Sequence, residues 1–192
     1  MRRSIASLIF MALTIMSVAS IMMRSARADI VVFQAQLLGG ANEVPAVTNA
    51  DVNAFGQATV VLDTSNNSFR FDWSVNNVAA SSIILNHIHE APVGVAGPVR
   101  VDSGISPANP LTVVNGSVLF SKSGIIPSTD AAGIVSRLLA NPAGFYFNVH
   151  SNLNPGGVVR GQLVRQAAGP SAGVRCHGCR TCDSPTAFAP GR

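Results

Sequence analysis

The chain has 192 residues, with 13 basic and 9 acidic side chains, 47% hydrophobic residues and 6% aromatics. Four basic residues (Arg2, Arg3, Arg24 and Arg27) fall in the first 28 positions, so the rest carries 9 basic (13 − 4) against 9 acidic groups. That balance, with no basic patch interleaved with aromatics, argues against nucleic acid as a partner.

Residues 1–28 read as a secretory signal peptide. Met1-Arg2-Arg3 is a basic start, residues 5–23 are almost wholly apolar, and Ala26-Arg27-Ala28 matches the A-x-A pattern of a cleavage site. An uncleaved anchor is the rival, because the apolar run is nearly long enough to span a bilayer. The small residues before Asp29 favour cleavage, and hence a secreted or periplasmic protein with no membrane span afterwards.

Residues 29–165 contain no cysteine. An exported domain of about 137 residues must then rest on one apolar core, and this length suffices. Residues 30–38 are apolar and β-branched and stop at Gly39-Gly40, which predicts a strand. Residues 41–53 hold Pro45, Asn49 and Asp51 and predict a loop. Residues 56–63 predict a second strand, closed by the turn cluster Thr64-Ser65-Asn66-Asn67. Phe69, Phe71, Trp73 and Val75 alternate with Arg70, Asp72, Ser74 and Asn76, a period of two that predicts a strand with one buried face. These two strands predict a hairpin.

Residues 82–89 and 98–102 predict strands around a turn-rich loop at 92–97. Residues 111–120 predict another, interrupted near Asn115-Gly116 by a bulge or a turn. Ile134, Leu138 and Leu139 fall at helical spacing after the N-cap candidates Ser128, Thr129 and Asp130, which predicts one short helix over 130–140. Residues 145–150 and 158–164 predict the last strands. Many short strands, one helix and no internal repeat predict an all-β domain, an antiparallel Greek-key sandwich or barrel.

Residues 166–192 begin as a small, Gly/Pro-rich linker and predict a disordered tail. Its Cys176, Cys179 and Cys182 have a spacing that suits zinc or an iron–sulfur cluster. Exported thiols tend to oxidise, and three leave one unpaired, so no site is assigned there.

Three histidines dominate the domain. His87 and His89 are two apart in a strand and share a face, and His150 joins them if the later strand pairs alongside. Neutral imidazoles are common ligands of zinc and copper, and three leave a fourth position open. The alternative is a set of histidines hydrogen-bonded to backbone at a sheet edge. Arg160, between Gly157 and Gly161, reads as a structural cation expected in an ion pair with Glu43, Glu90 or Asp102. Glu43, in Glu43-Val44-Pro45, reads as a structural residue that holds a turn or caps a backbone edge. No nucleophile elbow, phosphate loop or HExxH helix is present, and no catalytic residue is assigned.

Four motifs in order resemble the CHRD domain, named for chordin. They are residues 39–45 (GGANEVP), His87-Ile88-His89 with Gly97-Pro98-Val99, residues 146–151 (YFNVHS) and Arg160-Gly161-Gln162-Leu163. The resemblance implies an exported domain with an immunoglobulin-like β-barrel, distantly similar to copper/zinc superoxide dismutases, and no established enzymatic activity. A non-catalytic binding or structural role is expected, toward a protein, an extracellular matrix component or a metal. The departure is Gly157-Val158, where the family often has Gly-Glu. His87-Ile88-His89-Glu90 also looks like a dismutase strand. A dinuclear site needs more histidines than the three in this domain, so at most one copper or zinc ion is expected; the alternative function is a mononuclear copper or zinc protein, with redox activity, that uses His87, His89 and His150.

Overall fold

The computed structural model describes residues 29–167. The predicted leader and the cysteines of the tail lie outside the described residues. Ten strands follow one another: β1 (Ile30–Leu38), β2 (Phe55–Asp63), β3 (Ser68–Asn76), β4 (Ser82–Glu90), β5 (Val99–Asp102), β6 (Leu111–Thr112), β7 (Val118–Ile125), β8 (Phe145–Ser151), β9 (Val159–Gln162) and β10 (Val164–Arg165). Among the described residues one α-helix, α1 (Ala131–Ala140), lies between β7 and β8. Among the described residues no helix is long and apolar enough to cross a membrane.

All pairings are antiparallel, and the strands form one sheet in the order β5-β4-β8-β9-β1-β2-β3-β7, with β6 on β4 and β10 on β1. The β3–β4 and β7–β8 connections each cross from one half of this order to the other. Phe71 on β3 and Phe147 on β8 lie four strand steps apart, which is about 19 Å across a flat sheet. Their ring centroids are 5.4 Å apart, edge to face. The sheet therefore curls into a half-barrel and folds its apolar face onto itself. That face is built by period-two alternation: Val31, Phe33, Ala35 and Leu37 on β1, then Phe69, Phe71, Trp73 and Val75 on β3. Helix α1 adds Ile134, Val135 and Leu138 to the core and turns Arg137 outward to Glu90, at 2.9 Å.

The predicted strands are present, with two differences, and the interruption near Asn115-Gly116 is the turn of the two alternatives expected. Asn115 (φ 50°) and Gly116 (φ 75°) both adopt left-handed backbone in that tight segment. It separates β6, which pairs with β4, from β7, which pairs with β3. Strand β7 continues past Phe120 to Ile125, because its ladder with β3 runs on to Ser68↔Ile125 despite the polar Ser121-Lys122-Ser123. The expected last strand divides around the buried Leu163. Asp130 precedes α1 but makes no side-chain cap bond; its carboxylate accepts from Arg137 instead.

One irregularity decides where the histidines go. On β4, Ile83 lies opposite Ser151, yet Leu85 lies opposite His150, so β4 holds one extra residue at this point. The bulge exchanges the two faces of the strand. Ile83 points into the core, whereas Leu85, His87 and His89 share the outer face.

Candidate metal centre

The ladders arrange the outer face in rows. Asp102, His87, Asn148, Arg160 and Leu38 follow one another across β5, β4, β8, β9 and β1. His89, Tyr146 and Gln162 form the next row, and His150 flanks the first, opposite Leu85. An outer face would ordinarily be wet. Here His87, His89 and His150 are only 6–8% exposed, because loops roof them. Residues 91–98 supply the Gly97 carbonyl to His89 and the Val95 carbonyl to Arg160; residues 152–157 supply the Pro155 carbonyl to His150.

The bonds fix the imidazole tautomers. A carbonyl oxygen only accepts, so His89 Nδ1–H donates to Gly97 O (2.9 Å) and His150 Nδ1–H donates to Pro155 O (2.9 Å). Each ring therefore carries a lone pair on Nε2. His89 Nε2 is buried without a hydrogen-bond partner, and His150 Nε2 lies 3.3 Å from His87 Nδ1. His87 Nε2 faces the Asp102 carboxylate at 3.8 Å. The Nδ1–H tautomer of His87 donates to His150; the Nε2–H tautomer turns its proton toward Asp102 and leaves a third inward lone pair on Nδ1.

Burial holds all three imidazoles below the ordinary histidine range, so they are neutral donors at neutral pH. For His150 burial lowers the pKa to about 4, helped by the neighbouring His87 and opposed by the Pro155 bond. His87 is lowered by burial against the pull of Asp102, and His89 by burial against the Gly97 bond, with Arg160 adding to the lowering.

One donor atom from each histidine lies within 4.8 Å of the other two; among the described residues this is the one group of three His, Cys, Asp or Glu so placed. Two nitrogens sharing a tetrahedral ion at 2.0–2.1 Å stand roughly 3.3 Å apart. His87 and His150 already have that spacing. Bringing the third donor in asks for at most a shift of roughly 1.5 Å. The donor set is all imidazole, which suits copper and zinc, and two of the three rings are oriented by backbone carbonyls, as ligating histidines usually are.

The sequence-predicted residues divide around this centre. His87 and His89 share a face as the H-x-H parity implied, and His150 joins them because β8 pairs with β4. Arg160 is adjacent but differs from expectation: among the described residues no carboxylate lies within 4.0 Å of its nitrogens. It donates to Val95 O at 3.1 Å, and its guanidinium carbon lies 3.6 Å from the centroid of the Tyr146 ring. Glu90 pairs with Arg100 and Arg137, and Asp102 accepts from Gly104 N–H; neither pairs with Arg160. Glu43 is buried, with its carboxylate beneath Gly157 and beside Asn148, and Oε1 unpartnered. Burial raises its pKa to about 7 against the attraction of Arg160. Val158 is fully buried in the core, and the carboxylate near Arg160 comes from Glu43. Tyr146 is the residue that sequence reasoning misses, although Tyr146, Asn148 and His150 sit at alternate positions and so share a face.

No curated protein matches the chain. The family model for the CHRD domain matches residues 33–163, from the first half of β1 through Leu163, and so takes in all three histidines, Glu43 and Arg160. With that match spanning most of its length, the chain belongs to the CHRD domain family.

Proposed function

We propose that this CHRD domain is an exported, non-catalytic binding module whose ligand is a single copper or zinc ion held by His87, His89 and His150. The observation that carries the reading is His89: Nδ1 is committed to Gly97, and Nε2 is buried, neutral and without a partner. An unsatisfied buried acceptor is costly, and a cation is what a lone pair in that position would satisfy. Divalent copper binds nitrogen sites more tightly than zinc, so copper is the favoured occupant. The roof of residues 91–98 and 152–157 favours holding an ion over turning over a substrate. The leader motif supports export.

The test uses the full chain carrying Cys176→Ser, Cys179→Ser and Cys182→Ser, which removes competing thiolates. Exposed to copper sulfate or zinc chloride and desalted, it should retain about one equivalent by elemental analysis. His87→Ala and His150→Ala should each retain less than a tenth. Retention below a tenth by the parent chain would sink the metal reading.

A further inference from the structure

Tyr146 is not a ligand, yet everything around it fixes His89. The Tyr146 and His89 rings are stacked with centroids 4.8 Å apart and planes 6° apart. The opposite face of Tyr146 carries the Arg160 guanidinium. Tyrosine is thus the middle layer of a three-part stack, imidazole on one side and cation on the other. Both rings also attach to one residue of the roof: Gly97 N–H donates to Tyr146 Oη (3.1 Å), and Gly97 O accepts from His89 Nδ1. Arg160 binds the same loop two residues earlier, at Val95 O. Glycine is required at 97, because a Cβ there would collide with the Glu90 carbonyl and the Ala91 side chain. The loop therefore approaches too closely for any other residue.

We infer that Tyr146 and Arg160 are positioning residues that hold the His89 ring, in plane and in tautomer, for the ion proposed above. The stack fixes the ring plane, and the Gly97 carbonyl fixes which nitrogen faces inward. The contact is one of shape and polarisability as well as charge. A planar guanidinium lies flat on an aromatic ring, and a lysine ammonium does not reproduce that layer. This inference rests on the metal reading, and the experiment separates their failures.

In the cysteine-free chain, copper(II) affinity is measured by competition with a chelator, and the copper ligand field by electron paramagnetic resonance, for the parent, Tyr146→Phe, Tyr146→Leu and Arg160→Lys. Tyr146→Phe keeps the stacked ring and should bind within about threefold of the parent with a similar spectrum. Tyr146→Leu removes the stack and should weaken binding about 10–100-fold, the usual effect of losing an orienting partner, with altered hyperfine splitting. Arg160→Lys should fall between them, and carries the test if Tyr146→Leu does not fold. A parent chain that binds no copper overturns the metal reading and this inference with it. A parent that binds copper, with Tyr146→Leu and Arg160→Lys unchanged in affinity and spectrum, overturns this inference alone.

Discussion

Glu43 offers a test of the buried electrostatics that needs no ligand. Its carboxyl is raised from 4.5 to about 7, chiefly by burial. The folded state therefore holds the proton more tightly than the unfolded state. Below pH 4.5 both states are protonated and nothing is lost. As pH rises from 4.5 to about 7 the fold loses stability, reaching about 3 kcal/mol at about 1.4 kcal/mol per pH unit. His150 acts with the opposite sign. Its pKa falls from 6.5 to about 4, so its contribution is complete above 6.5 and about 3 kcal/mol is lost as pH falls toward 4. The two slopes offset one another between pH 4.5 and 6.5.

Glu43→Gln removes one of them and keeps the shape of the side chain. Urea unfolding of both proteins at pH 4.5, 5.5, 6.5 and 8 isolates the Glu43 contribution, because every other titration cancels in the difference. The Gln variant should gain on the parent by about 3 kcal/mol between pH 4.5 and pH 8. Any constant offset reports only how well Gln fits. A difference that stays flat with pH would refute the reasoning, since it would mean that Glu43 titrates alike in the folded and unfolded chains.

Phe147→Ala removes the ring shared by Phe71 and Trp73 across the half-barrel and should cost about 3–5 kcal/mol, read by denaturant unfolding. Asp51 is fully buried and accepts from Ala79 N–H, Ala80 N–H and Asn154; Asp51→Ala leaves those donors unpaired and should cost at least about 2 kcal/mol, with faster amide exchange at residues 79 and 80. Gly97→Ala should displace the roof loop, seen as loss of the ring-current shift of His89 in proton spectra and as a lower unfolding midpoint. An unchanged shift would show that the loop accommodates the methyl group.

Strand positions are readable from sequence because alternation at period two is a direct image of burial, as in residues 69–75. Shared parity also places His87 beside His89. Two things are not readable. Ser121 to Gly124 carry no apolar alternation, but backbone pairing with β3 needs no apolar side chain, so the edge strand extends through them. The environment of Arg160 depends on loops whose course is set by contacts distant in sequence, such as Val95 with Arg160, 65 positions apart. From sequence a buried arginine calls for a carboxylate; the fold gives it a carbonyl and a tyrosine face. The burial of Glu43 is hidden for the same reason, since it arises from where β8 and β9 meet the loop after β1.

The extra residue in β4 gives that strand slack that its neighbour lacks. Ile83 and Leu85 already oppose consecutive residues of β8, Ser151 and His150. Deleting Ile84 would therefore join two correct pairings into a regular ladder, with Ile83 still inward and His87 and His89 still outward. Strand β8 has no residue to spare between Tyr146 and His150. Deleting Val149 would bring His150 opposite Asn86, on the inner face with Ile88. Loss of one residue is thus absorbed in the strand that carries two of the histidines. In the strand that carries the third, it would break up the three-histidine cluster, and with it the proposed metal site, while leaving every histidine in the chain.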